Sequence, residues 1–125
     1  MIYVTYLFES LIFLKNDFVH PFSIAFKNEV FEINNEVEVF ATPGHTLDSV
    51  SVKVKSADQG VIVIAGDLFE KFEDLNDDSI WKEAGSEDPE LQAKNREKVL
   101  KIADFVIPGH GAMFPVSKSM LSNVS

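Results

Sequence analysis

The sequence of 125 residues contains no cysteine. This absence excludes disulfides, thiolate zinc sites and a cysteine nucleophile, and it fits a reducing compartment. Cations are also scarce, because 11 lysines and arginines face 20 aspartates and glutamates, which gives a net charge of −9. An acidic chain should not bind nucleic acid nonspecifically, since phosphate neutralisation needs lysine and arginine. Any RNA substrate would therefore have to be held by bound metal and a few local cations.

Long apolar runs are missing as well. Residues 1–14 are rich in isoleucine, leucine and aromatic residues, but Glu9 interrupts them, and the segment is too short to cross a bilayer. The segment also lacks the basic start and the small-residue cleavage site of a signal peptide. We therefore predict no membrane association and a cytoplasmic location, with the nucleus as the alternative.

The apolar pattern predicts several short β-strands. Alternating or continuous apolar residues favour strands at residues 29–33, 36–40, 49–55, 61–64 and 104–107. The fourth of these has no polar face, so we expect it at the centre of a sheet. Asn34-Asn35 joins the first two strands, and asparagine tolerates the positive φ of a tight hairpin turn.

Helices are predicted in the second half of the chain. Asp77 or Asp78 could cap a short helix, and Asp88-Pro89 pairs a capping residue with a proline in the first turn of a longer one. The longer helix should end near Ala103, and its inward face should consist of Leu91, Val99, Ile102 and Ala103. Asn95 and Arg96 weaken that face. The tail from Met113 is mixed, and we expect it to fray after Val116.

Three of the predicted strands end in residue types that bind metals. The segment TPGHT stops one strand at Pro43-Gly44 and continues with His45, and PGHG repeats this arrangement at His110. Between them, the apolar run 61–64 leads into Asp67. Imidazole and carboxylate suit zinc, and also manganese or iron in mixed nitrogen and oxygen sites. His45, Asp67 and His110 are therefore the candidate metal ligands, and the long spacings mean that only a fold could unite them.

Simpler interpretations exist for each residue alone. His45 could be a surface turn residue. The chain has 3 histidines, and the remaining one, His20, is better explained as an ordinary loop residue. Ser49 and Ser51 have no nucleophile-elbow motif around them, and the chain has no phosphate-binding glycine-rich loop. The order of the three strand ends is the feature that favours a shared metal site.

These segments resemble the third, fourth and fifth metal-binding motifs of the metallo-β-lactamase superfamily. The resemblance covers about residues 21–116 and implies an α+β fold, a partial αββα sandwich with mostly antiparallel strands and one or two helices. It implies a binuclear hydrolase in which His45 ligates the first of two zinc ions, Asp67 bridges both, and His110 ligates the second. Manganese or iron are alternatives to zinc.

One motif of the family is absent. The His-x-His-x-Asp-His motif that normally precedes TPGHT does not occur, which leaves two protein ligands per ion where catalytic zinc usually has three. The chain therefore looks like the C-terminal half of the domain. We divide it into an atypical N-terminal segment at 1–16, a partial domain at 17–116 and a tail at 117–125. We expect this form to be weakly active or inactive.

The resemblance leaves the substrate open. The activity that the resemblance implies is that of an endoribonuclease acting on the 3′ ends of histone pre-mRNAs, so RNA is the expected substrate. A glyoxalase II-type thioesterase in a longer form is one alternative. The other is a non-catalytic interaction module that pairs through its open sheet edge, with a homodimer or a partner chain covering the exposed half-sandwich.

Overall fold

A six-stranded β-sheet forms the centre of the protein. The computed structural model describes residues 30–124. The strands in chain order are β1 Phe31–Glu32, β2 Val37–Ala41, β3 Val50–Ser56, β4 Gly60–Gly66, β5 Phe105–Pro108 and β6 Phe114–Pro115. The helices are α1 Asp78–Glu83, α2 Pro89–Ile102 and α3 Lys118–Val124, and a 3₁₀ turn lies at Phe72–Leu75.

The strands lie in the sheet in the same order as in the chain. Neighbouring strands are antiparallel except β4 and β5, which run parallel. Parallel neighbours need a crossover connection, and α1 and α2 provide it. The apolar strand β4 lies between β3 and β5, which confirms its predicted central position. Because β2, β4 and β5 point the same way, their carboxyl ends lie at the same end of the sheet.

Apolar side chains pack on both faces of the sheet, since successive residues of a strand point to opposite sides. Phe40, Val63 and Val106 belong to a buried cluster on the face that α2 covers through Val99 and Leu100. The opposite face carries a second cluster, whose buried members are Val39, Val52 and Ile64. Full burial of each such side chain stabilises the fold by roughly 1.5–3 kcal/mol. The sheet is therefore an anchored platform for the loops at its edge.

Helix α2 begins as predicted, and Val99 and Ala103 are buried as predicted, but the rest of its buried face differs. The Asp88 carboxylate accepts a hydrogen bond from the Leu91 backbone N–H at 3.0 Å, which is the expected N-terminal cap. The predicted inward position of Ile102 is wrong, because this side chain is 40% exposed. The buried residues of the helix are Gln92, Asn95, Arg96, Val99 and Leu100. The polar members are tolerated there because the donor groups of each find hydrogen-bond partners, although Oε1 of Gln92 has none among the described residues.

The first hairpin turn does not use the predicted backbone conformation. Within residues 30–124 no residue other than glycine has a positive φ. Instead the Asn34 side-chain oxygen accepts hydrogen bonds from the backbone N–H groups of Glu36 at 2.8 Å and Val37 at 2.9 Å. Asparagine therefore stabilises this turn through its side chain.

The C-terminal region is more ordered in structure than its sequence predicted. Helix α3 occupies Lys118–Val124, where fraying was expected after Val116. Partly buried Val116 and Leu121 pack against the cluster under α2. This packing stabilises a helix in a segment that is otherwise polar. The predicted N-terminal segment 1–16 and His20 lie outside the described residues. No helix within residues 30–124 is both long and apolar enough to cross a membrane.

A cross-strand ion pair yields a pH prediction. Glu38 of β2 faces Lys53 of β3, with 2.5 Å between carboxylate oxygen and Nζ. This hydrogen bond is the main cause that lowers the pKa of Glu38, and the charges of Lys53 and Lys55 add to it. A carboxyl with a lowered pKa stabilises the folded state above its unfolded pKa of about 4.3, and this contribution is lost as pH falls through the folded pKa.

The substitution Glu38→Gln should therefore lower the free energy of unfolding at pH 7, and the difference should shrink as pH falls from about 4.3 through the lowered folded pKa. Urea unfolding of both proteins across this range measures the difference. A loss of the same size at both ends of the range would contradict the assignment.

Candidate metal centre

The three predicted ligands lie at the carboxyl ends of strands that point the same way. His45 follows β2, Asp67 follows β4, and His110 follows β5. Strand ends at one edge of a sheet bring loops together that are far apart in sequence, and such loops commonly carry functional residues on a rigid scaffold. The topology therefore unites residues separated by more than 60 positions.

The Asp67 carboxylate lies between the two imidazoles. Its Oδ2 is 3.4 Å from Nε2 of His45, and its Oδ1 is 3.1 Å from Nε2 of His110. Each carboxylate oxygen therefore faces a different histidine. The structure brings together the full predicted set of His45, Asp67 and His110.

Glu70 is a fourth member of the site that the sequence interpretation missed. Its carboxylate lies 3.6 Å from Nε2 of His110, and ligand atoms of His45, Asp67 and Glu70 all lie within 4.8 Å of one another. In the sequence Glu70 appears as the first residue of an acidic connector, which has an ordinary interpretation as solvated surface. Its position in the turn that follows Asp67 was the available signal.

Glu70 is a buried carboxylate beside another carboxylate. Burial is the main cause that raises the pKa of Glu70, and the negative charge of Asp67 raises it further. His110 and His45 act in the opposite direction. The site thus gathers negative charge that the two histidines offset only in part, a situation that favours cation binding.

The loop that carries His45 is held against α2. Gly44 has a φ of +152°, which disfavours any other residue, and a Cβ at this position would collide with the backbone of Gln92. Beside it, the hydroxyls of buried Thr42 and Ser51 form a hydrogen bond of 2.7 Å. The glycine in Pro-Gly-His is therefore required by both conformation and space.

The loop that carries His110 is attached to the turn that carries Asp67. The backbone N–H of Gly109 donates to the Phe69 carbonyl at 2.9 Å, and the N–H of His110 donates to the Glu70 carbonyl at 2.9 Å. A Cβ at Gly109 would collide with Oδ1 of Asp67. The turn 67–70 and the His110 loop therefore form one unit.

The residues present fit a divalent metal ion. Imidazole nitrogen and carboxylate oxygen are the donors of mixed nitrogen and oxygen metal sites. Nδ1 of His45 is buried and has no hydrogen-bond partner among the described residues. A buried polar group without a partner is costly and is a recognised feature of ligand sites. The side chains of His45, Asp67 and His110 are 22%, 36% and 65% exposed, so one side of the site is open to solvent.

An open pocket of about 450 Å³ lies beside His110. Phe72 and Met113 supply apolar walls and are 42% and 41% exposed, and Lys71 supplies a cation. Phe72 is held in place by an edge contact with Phe114, at 5.3 Å between ring centroids. A molecule that reaches His110 from this side would meet apolar surface, the cation of Lys71 and the carboxylate of Glu73.

Solved structures share this fold. The chain superposes on an N-acyl homoserine lactone hydrolase with its product bound at the catalytic metal centre, with a TM-score of 0.54, 24% identity, and coverage of 67% of this chain and 34% of that one. A dizinc quorum-quenching lactonase in complex with a product gives a TM-score of 0.53 at 17% identity, with coverage of 70% and 36%. At these identities the likeness shows the fold, and it confirms a partial metallo-β-lactamase sandwich of the α+β class.

The sequence comparisons agree with the fold, and the chain belongs to the metallo-β-lactamase superfamily. It is similar to metallo-beta-lactamase domain-containing protein 1 of Mus musculus, with 36% identity over 121 residues that cover 92% of this chain and 45% of the relative. The protein of the same name from Homo sapiens is 49% identical over 81 residues, which cover 64% of this chain and 29% of the relative. No protein-family model matches the chain. The chain thus spans less than half the length of these curated relatives.

Gly109 allows a direct test of the site geometry. Gly109→Ala should displace the Asp67 carboxylate, because the new methyl group would occupy the position of Oδ1. We expect the affinity for Zn²⁺ to fall by about tenfold or more, the usual cost of disturbing a ligand's surroundings. Isothermal titration calorimetry measures this affinity.

The matched control is Gly85→Ala. Gly85 has a φ of +110° and no neighbouring atom within 4 Å, so an alanine there adds backbone strain without touching the site. Equal loss of Zn²⁺ affinity in both variants would show that Gly109 matters only for stability.

Removing the charge of Glu70 beside Asp67 should stabilise the metal-free protein, unlike the other substitutions in this site. In metal-free protein at pH 7, Glu70→Gln should raise the thermal midpoint by a few degrees, because it removes a buried charge beside Asp67. A carboxyl with a raised pKa penalises the folded state only when ionised, so the gain should shrink as pH falls through the folded pKa and vanish near pH 4. The same variant should bind Zn²⁺ more weakly. Thermal melts with and without chelator check both statements, and a lower midpoint without metal at pH 7 would contradict them.

Proposed function

We propose that this chain forms the metal-binding half of a metal-dependent hydrolase and that zinc is its metal. The observation that carries the proposal is the Asp67 carboxylate, whose two oxygens face His45 at 3.4 Å and His110 at 3.1 Å. Two histidines and a shared aspartate at strand ends are a donor set for one or two divalent ions.

Each residue has a distinct part in this proposal. When bound, a divalent ion polarises the scissile group and lowers the pKa of a bound water. His45, Asp67 and Glu70 would hold an ion on one side of the site, and Asp67, Glu70 and His110 would hold one on the other. Glu70 raises the number of protein donors on each side from two to three, the number that catalytic zinc commonly uses. The two carboxylates also keep the site negative and therefore selective for cations.

The proposed substrate is RNA, by the resemblance to an endoribonuclease that acts on the 3′ ends of histone pre-mRNAs. The pocket beside His110 supports this choice. Phe72 offers an exposed aromatic ring on which a base could stack, and Lys71 offers a cation for a phosphate. With a net charge of −9, the chain must rely on such local contacts and on metal rather than on a general basic surface.

Metal content is the first test. The purified chain should bind about one or more Zn²⁺ per molecule, and His45→Ala, Asp67→Asn and His110→Ala should each remove or strongly weaken binding. His20→Ala is the matched control, because it removes the remaining histidine and should leave the metal content unchanged. Elemental analysis after dialysis gives the result. A folded wild-type chain that holds no metal would overturn the proposal.

Hydrolysis is the second test, and it separates the substrate classes. The zinc-loaded chain should cleave RNA with a histone pre-mRNA 3′ end weakly, and chelation or Asp67→Asn should abolish cleavage. N-hexanoyl homoserine lactone and a glutathione thioester serve as comparison substrates. Preferential cleavage of either comparison substrate would replace RNA with an ester substrate. A metal-loaded chain that cleaves none of them would be a non-catalytic interaction module.

A further inference from the structure

Helix α2 buries a row of polar side chains next to the metal site. Gln92, Asn95 and Arg96 are here called the polar ridge; Gln92 lies one turn before the other two on the same side of the helix, and each is at most 9% exposed. A buried polar row is costly unless its groups are paired. Apart from Asp74, the partners of the polar ridge are backbone carbonyls in the loops that carry His45 and Asp67, so its contacts concern the site and not only the core.

Three hydrogen bonds of the polar ridge hold the turn that carries Asp67. The Gln92 side-chain amide donates to the carbonyls of Asp67 at 3.2 Å and Leu68 at 3.3 Å. The Arg96 guanidinium donates to the same Leu68 carbonyl at 2.8 Å. The direction of the backbone at Asp67 is therefore set by the helix.

Arg96 extends this control to Glu70 through Asp74. Its guanidinium donates to both carboxylate oxygens of Asp74, at 2.8 and 3.1 Å. The Asp74 carboxylate in turn accepts a hydrogen bond from the backbone N–H of Glu70 at 2.7 Å. A chain of buried hydrogen bonds thus leads from the helix to the fourth residue of the site.

The same helix also holds the loop that carries His45. The Asn95 side-chain amide donates to the Pro43 carbonyl at 2.7 Å. At the start of the helix, the backbone N–H of Asp88 donates to the Gly44 carbonyl at 2.9 Å, and that of Glu87 donates to the His45 carbonyl at 3.1 Å. One rigid element therefore contacts both ligand loops.

We propose that the polar ridge positions the metal ligands, with Gln92 and Asn95 fixing the distance between His45 and Asp67. The proposal rests on the proposed metal site. It explains how a chain that spans less than half of its relatives can still hold His45 and Asp67 together, because the contacts that set their distance all lie within residues 43–96. Preorganisation of this kind increases metal affinity, since less order has to be imposed on binding.

A purely structural role predicts something different. If the polar ridge only stabilises the fold, then variants of equal stability should bind metal equally well. A positioning role predicts a change in ligand geometry that exceeds any loss of stability. Cobalt(II) is the suitable probe, because its visible absorption reports the number and arrangement of its ligands.

The test uses Gln92→Met in the full chain. Methionine has nearly the same volume but donates no hydrogen bond, so both carbonyl contacts are lost. We expect Co²⁺ affinity to fall by about 10- to 100-fold, with shifted or weakened visible bands. Asn95→Leu removes the hydrogen bond from the polar ridge to the loop that carries His45 and should have the same kind of effect, which keeps the test decisive if one variant fails to fold.

Two controls on the same helix match these variants. Lys94→Met makes a comparable change at an exposed position and should alter neither stability nor the spectrum. Val99→Ala weakens the core without removing a hydrogen bond to either loop, so it should lower the thermal midpoint and leave the Co²⁺ spectrum unchanged.

The outcomes separate the two proposals. If folded Gln92→Met and Asn95→Leu bind Co²⁺ with wild-type affinity and spectrum while His45→Ala does not, the positioning role is wrong and the metal site stands. An affinity loss in Val99→Ala as large as in the ridge variants would also overturn the positioning role. If the wild-type chain binds no metal, both proposals fail.

Discussion

The part of the fold that carries the candidate metal site depends on the buried ion pair between Arg96 and Asp74. Both side chains are almost fully buried, and the guanidinium also lies over the rings of Phe69 at 4.3 Å and Trp81 at 5.0 Å. Such pairs gain little in net stability, but removing one partner typically costs 3–5 kcal/mol because a charge is left unpaired. The pair closes the turn after β4 and fixes it to α2. Without it, the end of the segment at Asp74 and the backbone N–H of Glu70 would lose their link to the helix.

The candidate metal site lowers the stability of the metal-free protein in exchange for attraction of a cation. Two carboxylates and two imidazoles converge where the strands end, and the pKa of Glu70 is raised by burial and by the neighbouring charge. Such crowding disfavours the metal-free fold and favours a bound cation. The sheet beneath it, with apolar clusters on both faces, supplies the stability that offsets this crowding.

Membership in the metallo-β-lactamase superfamily gives this arrangement a context without fixing the substrate. The chain spans less than half the length of its curated relatives, and its helix α2 contacts the loops that carry the candidate ligands His45 and Asp67. The connection between the ligand loops therefore belongs to this part of the domain. Substrate choice depends on the walls around the site, of which Phe72, Met113 and Lys71 form one side.

The sequence by itself determined five of the six strands, the start of α2 and three residues of the candidate site. Local rules suffice for these features, because strand periodicity, the Asp88-Pro89 cap and the repeated Pro-Gly-His can be recognised within a few residues. The tertiary structure alone decided the rest. Glu70 belongs to the candidate site because the turn after Asp67 places its carboxylate beside His45 and Asp67. Asn95 and Arg96 weaken an apolar pattern, and they are buried because distant carbonyls pair with them. Those partners lie more than 20 residues away along the chain, so only the packed fold could bring them together.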